Sequence, residues 1–244
     1  MQRMAWIFLV LLSLSATQAL AYILPAPFLL QMLAEQRRDL KLRDISAQLE
    51  VERHGEDEIF DERLYLKSPE RMRLVDETEN GRVYVEREGK RAVGTAERLK
   101  PMDGLATDLM ARLLMPAGSS VDDMAKRLLA TVKSVGIDTE IVSLARDNER
   151  VVYVIGAKPW EKDKPQLWLD KTSMMPVRFI LFAKEGAAGA RYETRLLGYG
   201  GATAGDFLPQ TIERYVDGKK VWRATLSKVD VNQKLPETLF VIPG

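Results

Sequence analysis

Between residues 44 and 52 the chain alternates strictly. Ile45, Ala47, Leu49 and Val51 are apolar, and Asp44, Ser46, Gln48, Glu50 and Glu52 are polar. A period of two marks a strand with one dry and one wet face. Similar runs predict strands over 59–66, 71–76, 82–87 and 91–96, with turns at Ser68-Pro69 and Asn80-Gly81. Asn-Gly is among the strongest hairpin signals. Ahead of this meander, Pro27 opens a helical pattern to Arg37 that puts Leu29, Leu30 and Leu33 on one face; proline suits a first helical turn. Helical spacing returns at Met102, Leu105, Leu109, Met110 and Leu113, and Met115-Pro116-Ala117-Gly118 ends that helix. Ser119-Ser120 followed by Asp122-Asp123 opens another, with Val121, Met124, Leu128, Leu129 and Val132 on its apolar side and Gly136 at its end. Strands then resume over 138–145, 151–155, 166–170, 177–182, 192–197, 208–216 and 221–229, with a hairpin turn at Asp217-Gly218. Sequential short strands with tight turns make an antiparallel sheet, and this many strands make it curl or close. Central helices that bury their apolar faces against its concave side form a lid.

One hairpin breaks the wet-and-dry rule. In 165–182, Leu167 and Leu169 point one way and Trp168 the other; Val177, Phe179 and Leu181 point one way and Ile180 and Phe182 the other. One face belongs in the concavity. The second needs cover from another layer, a loop or a partner, and a protein-binding role would put an exposed interface at Trp168 and Phe182.

The N-terminus adds a compartment. Arg3, an apolar run from Ala5 to Leu14 and small residues ending in Ala19-Leu20-Ala21 have the form of a cleavable secretory signal over residues 1–21, which leaves Tyr22 onward as a single domain, 22–244. The run falls short of the roughly 20 apolar residues of a membrane span, which disfavours an uncleaved anchor. Cysteine is absent, so there is neither a disulfide framework nor a lipid-attachment thiol, and the expected location is a bacterial periplasm. Net charge is +1, and without Arg3 the basic and acidic residues balance at 35 each. Such a balance gives no field for nucleic acid or an anionic membrane surface.

Catalytic chemistry is missing. The one histidine, His54, sits among charges in a turn-like stretch, where a solvated turn residue is the expected role. With no cysteine and one histidine, a zinc site of the usual kind cannot be built, and no metal or cofactor is implied. No nucleophile elbow, metalloprotease helix or phosphate-binding glycine loop occurs. Asp122-Asp123 reads as a helix N-terminal charge pair and Glu56-Asp57-Glu58 as a solvated turn. Methionines are prominent instead: Met102, Met110, Met115 and Met124 around the central helices, Met174-Met175 at the hairpin turn. They fit either gap-filling in a core or a soft surface for varied apolar ligands.

The hairpin Leu167-Trp168-Leu169-Asp170-Lys171 with Met175-Pro176-Val177-Arg178 resembles the strand, Asp-Lys turn, Pro-Val/Ile-Arg, strand hairpin of periplasmic lipoprotein carriers of the LolA type. The ending, with Asn232, Leu235, Phe240 and Pro243, is similar to that family's N-x-x-L-x-x-x-x-F-x-x-P close; Leu208-Pro209 and Asp217-Gly218-Lys219-Lys220 also fit. These motifs are shared by lipoprotein-sorting proteins, their lipid-anchored receptors and sigma-factor regulators on the same fold. The resemblance implies an α+β fold: a curved antiparallel sheet forming an incomplete, half-open β-barrel with α-helices as a lid over the concave face. It implies a soluble shuttle, with no catalytic residues, that binds acyl chains of lipoproteins or other lipids in transit between inner and outer membranes. An inner-membrane release complex and an outer-membrane receptor would be its partners. The implied cavity is lined by Leu105, Leu109, Met110, Leu113, Met124 and Leu128 from the lid and by Ile45, Leu49, Leu64, Phe179 and Trp222 from the sheet. In the family an arginine on an early strand holds the lid closed through hydrogen bonds to helix-loop backbone; Arg63, Arg71 and Arg73 are the candidates here. An envelope regulator that binds protein on the same fold is the alternative.

Overall fold

A computed structural model describes residues 23–78, 81–87, 90–95, 98–102, 109–183 and 189–242. The expected signal segment and Leu105 lie outside these residues. The first meander is β1 (Asp44–Arg53), β2 (Ile59–Lys67), β3 (Arg71–Asp76), β4 (Val83–Arg87), β5 (Lys90–Thr95) and β6 (Arg98–Met102). The second is β7 (Val142–Asp147), β8 (Arg150–Ile155), β9 (Gln166–Asp170), β10 (Pro176–Phe182), β11 (Arg191–Leu197), β12 (Thr211–Val216) and β13 (Lys219–Val231). All thirteen join one antiparallel sheet in the order β6-β5-β4-β3-β2-β1-β13-β12-β11-β10-β9-β8-β7. The sheet is not closed: β6 and β7 are its edges, and β1 pairs with β13 at its centre, from Ile45↔Val231 to Arg53↔Trp222. It is a curved, open half-barrel.

Three helices serve its concave face: α1 (Ala26–Asp39), α2 (Met110–Leu114) and α3 (Val121–Ser134). α1 packs on α3. Leu29, Leu30 and Leu33 of α1, Leu113 and Leu114 of α2 and Leu128 and Val132 of α3 share one core with the inward residues of the sheet. The Ser120 hydroxyl accepts from the Asp123 N–H at 3.2 Å, and the Asp123 carboxylate accepts from the Ser119 N–H at 3.0 Å. This reciprocal cap fixes where α3 begins.

The expected helix from Met102 is corrected. Met102 ends β6, which pairs with β5 from Thr95↔Arg98 to Arg91↔Met102, and α2 is a single short turn further on. Pairing with an open edge outweighs helical spacing there, and Pro101 is tolerated because an edge strand has no second neighbour to receive its missing N–H.

The hairpin with two dry faces is explained by its bulge. Pro176 pairs with Leu169 and Arg178 with Trp168, so Val177 is the extra residue and turns to the convex side instead of aligning with Phe179. There it joins Val152, Val154 and Trp168 in a small second cluster. The Arg178 guanidinium lies 4.6 Å from the Trp168 ring centroid, and the indole N–H donates to Gln166 Oε1 at 2.8 Å. Trp168 is only 5 % exposed, so it offers no exposed interface. Long side chains continue the cover: Glu193 accepts ion pairs from Arg178 (2.8 Å), Arg191 (2.5 Å) and Arg195 (2.7 Å), and Arg195 stacks 4.7 Å from Tyr215. Burial alone would raise the Glu193 pKa, but these guanidiniums hold it below the usual carboxylate range. At the other half, the C-terminal turn Glu237–Phe240 packs on β3 and β4. Arg71 binds both Glu237 oxygens at 2.7 Å, Arg73 donates to the Leu239 carbonyl at 3.1 Å, and Phe240 is fully buried.

Candidate functional site

The concave interior gathers most of the expected cavity residues. Ile45, Leu49, Leu64, Leu109, Met110, Leu113, Leu128 and Phe179 are all between 0 and 2 % exposed in a single core. β1 supplies Ile45 and Leu49 from its inward positions, and β2 places Leu64 beside them opposite Ala47. Met124 is half-buried against the same core and lines a cavity at one end of it; Trp222 lines a cleft at the other. The interior is thus an apolar slab between helices and sheet with a polar opening at each end.

The first opening, of about 570 Å³, lies where the C-terminal end of α1 meets the loop between α2 and α3. Its floor is Arg37. This guanidinium is 5 % exposed and donates from Nε and Nη2 to the Leu114 carbonyl (2.9 and 2.6 Å) and from Nη1 to the Phe207 carbonyl (2.9 Å); Met175 Sδ lies 3.7 Å from Nη1. The Leu114 carbonyl is at the C-terminal end of α2, where helical carbonyls lack intrahelical donors. One residue on, the Glu70 N–H donates to the Met115 carbonyl at 3.0 Å. Burial lowers the Arg37 pKa to about 10, partly opposed by the Tyr199 hydroxyl nearby. Burial pushes the Tyr199 phenol upward; it donates to the Pro176 carbonyl at 3.0 Å and stays neutral.

The end of α2 is therefore tied by an arginine of the first helix. The three strand arginines are engaged elsewhere: Arg63 with Glu77 at 3.0 Å, Arg71 with Glu237 and Arg73 with the Leu239 carbonyl. They point to the convex side, because the inward positions of β2 and β3 are taken by Leu64, Leu66, Met72 and Leu74. The signal that would have found Arg37 was its place on the helical face continuing Leu30, Leu33 and Ala34, where a charge must find buried acceptors.

The second opening, a cleft of about 860 Å³, is lined by Arg53, Glu62, Asp76, Tyr84, Arg214 and Trp222 among others. Arg53 pairs with Glu62 at 2.7 Å and Asp76 at 2.6 Å, and lies 4.1 Å from the Phe60 ring centroid. Burial works against the Asp76 charge, but Arg53 and Thr78 keep its pKa below the usual range. Trp222 donates to Glu62 Oε1 at 3.4 Å under the Arg214 guanidinium, 4.9 Å away. His54 is exposed at the rim, its backbone N–H donating to the Val221 carbonyl. Among the described residues, no group of three His, Asp or Glu is placed to hold a metal, and no helix is long and apolar enough to cross a membrane.

No family model and no curated protein sequence matches the chain. Solved structures do. A LolA superfamily protein from Nitrosomonas europaea matches with a TM-score of 0.53 at 13% identity, over 90% of this chain and 99% of that one. A putative outer membrane lipoprotein-sorting protein domain from Vibrio parahaemolyticus matches at 0.52 and 14%, over 86% and 95%. A DUF1329 family protein from Desulfovibrio piger matches at 0.52 and 10%, over 89% and 97%. Likeness at such low identity is likeness of fold: the thirteen-stranded half-barrel with its helical cover has the fold of the LolA superfamily.

Proposed function

We propose that this chain is a soluble periplasmic carrier. It takes acyl chains of lipoproteins or other lipids between its helices and its sheet, and moves them between inner and outer membranes. The observation that carries this reading is the construction of the lid. α2 is one turn long, yet Leu109, Met110, Leu113, Leu114 and Met115 are all buried in the core. Its end is tied down by hydrogen bonds from Arg37 and Glu70, which can be exchanged for water. Lifting α2 would uncover a strip of apolar surface that an acyl chain can take over. Each buried methylene is worth about 0.8 kcal/mol, so a sixteen-carbon chain brings on the order of 10 kcal/mol before ordering costs. No group on the protein has to make or break a bond for this, which agrees with a chain that lacks a recognisable catalytic set. An inner-membrane donor and an outer-membrane acceptor are the partners such a carrier needs.

The test is native mass spectrometry of protein purified from the periplasm, followed by organic extraction. Lipid or acylated peptide bound near one to one is the expected result. Empty protein that also fails to bind an apolar dye would end this reading.

A further inference from the structure

The opening over Arg37 has a charge pattern that the carrier reading does not require. Arg38, Lys41 and Arg43 surround Arg37, and the other polar side chains at the wall are the neutral Ser68 and Asn232. Among the described residues, no carboxylate lines the cavity. Arg38 reaches only its exposed neighbour Asp39, at 3.7 Å, and among the described residues no acidic side chain pairs with Arg37, Lys41 or Arg43. Four cations therefore converge in a chain whose total charge is +1. Charges of one sign focused in a concave site raise the local concentration of the opposite ion. Arg37 is buried without a counter-charge, which is costly unless an anion completes it. A guanidinium has five N–H donors, and the contacts to Leu114, Phe207 and Met175 leave one on Nη2 unassigned.

The opposite wall of the same cavity is apolar and belongs to the lid: Leu114, Met115, Pro116 and Met124. Leu114 and Met115 are also members of the central core, so the apolar wall of the cavity is part of the interior that would hold acyl chains. A cationic mouth on an apolar interior matches an amphiphile with a negatively charged head.

We propose that the mouth formed by Arg37, Arg38, Lys41 and Arg43 binds the anionic head group of the cargo, a phosphate or carboxylate carried on acyl chains. This rests on the carrier reading and deepens it by naming the cargo class. An anion takes the unassigned N–H of Nη2 and leaves the bonds to the Leu114 carbonyl in place, while Arg38, Lys41 and Arg43 face it from the rim. A neutral head meets no such attraction at the mouth.

The test uses the intact protein, an apolar fluorescent probe and palmitoyl lipids that share one chain: lysophosphatidic acid and the uncharged 1-monopalmitoylglycerol. Glycerol 3-phosphate and inorganic phosphate serve as head-only controls. Three exposed cations acting on one anion, each at the strength of a surface ion pair, amount to a preference of about tenfold. Lysophosphatidic acid is expected to displace the probe about that much more tightly at low salt, with the advantage fading as salt screens it. The double variant Lys41→Gln/Arg43→Gln, at exposed positions, should lose most of the preference and keep its affinity for 1-monopalmitoylglycerol. Equal affinity for the two lipids in the unmodified protein overturns the head-group assignment while leaving the carrier intact. Displacement by neither lipid overturns the carrier and this proposal with it. Tight binding of glycerol 3-phosphate or inorganic phosphate alone would make this a site for free anions and overturn its assignment to a lipid head.

Discussion

Replacing Arg37 with methionine separates the latch from the scaffold. Methionine keeps most of the aliphatic volume of the side chain and removes the charge. Two carbonyls, Leu114 and Phe207, then lose their donor. An unsatisfied buried acceptor costs about 1–3 kcal/mol, so the direct loss is about 2–6 kcal/mol. Against this stands the relief of a buried cation. The fall of its pKa to about 10 corresponds to a burial penalty of about 3 kcal/mol. The two nearly cancel, leaving a net loss of about 1 kcal/mol, or a Tm lower by about 3 °C. The local effect is larger. Opening α2 in the unmodified protein breaks the charge-assisted bonds to the Leu114 carbonyl, worth about 2 kcal/mol net of the water that replaces them. Without them, opening becomes about thirtyfold more frequent. Hydrogen exchange read on a peptide covering residues 109–116 should accelerate by that order while the strands β1 and β13 keep their protection. A long-chain fluorescent fatty acid should also associate faster. The latch is refuted if exchange in 109–116 is unchanged. It is equally refuted if exchange rises uniformly across the sheet together with a Tm loss above about 10 °C, since Arg37 would then be a scaffold residue.

Three further outcomes follow from the convex face and the acid groups. Glu193→Gln should destabilise the fold by about 3 kcal/mol in urea unfolding, because three guanidiniums lose their shared carboxylate; a change within 0.5 kcal/mol would mean that Arg178, Arg191 and Arg195 are solvated independently. Phe240→Ala should cost about 3–5 kcal/mol, and limited proteolysis should then remove the C-terminal turn first; a protected C-terminus would show that Arg71 and Arg73 suffice to hold it. The lowered pKa values of Asp76 and Glu193 give stability that is complete above the unfolded carboxylate values of about 4 and is lost as pH falls through the lower folded values. Acid titration of Glu193→Gln should therefore show a shallower decline below pH 4 than the unmodified chain; parallel curves would assign the acid sensitivity to other groups.

Strict alternation made the strands legible where one face is wet. β1 and β3 fall within a residue of the periods seen in the chain, and the cap at Ser120 was readable from hydroxyl and acid spacing alone. Legibility failed where a long-range neighbour decided the outcome. β6 looks like the start of a helix until β5 claims it as a partner. Val177 looks like an inward residue until the bulge against Leu169 turns it over. The apolar residues of the interior were identifiable because inward positions repeat every second residue. The latch was not, because arginines on strands and on a helix look alike until burial shows which lacks water. The cover of the second dry face was also hidden, since arginines stacked on aromatic rings and paired to Glu193 read as ordinary surface in one dimension.

The position of the seam has a mechanical meaning. Because β1 and β13 meet at the centre of the sheet, the chain runs outward from the seam to one free edge at β6 and returns from the other at β7. The stretch between β6 and β7, which includes α2 and α3, is the strap that joins the two free rims. If the chain carries an apolar guest as proposed, a guest that spreads the rims would draw this strap taut across itself. A cut within the strap would leave two half-sheets held together by the β1–β13 seam and the shared core, with no covalent link left between the rims.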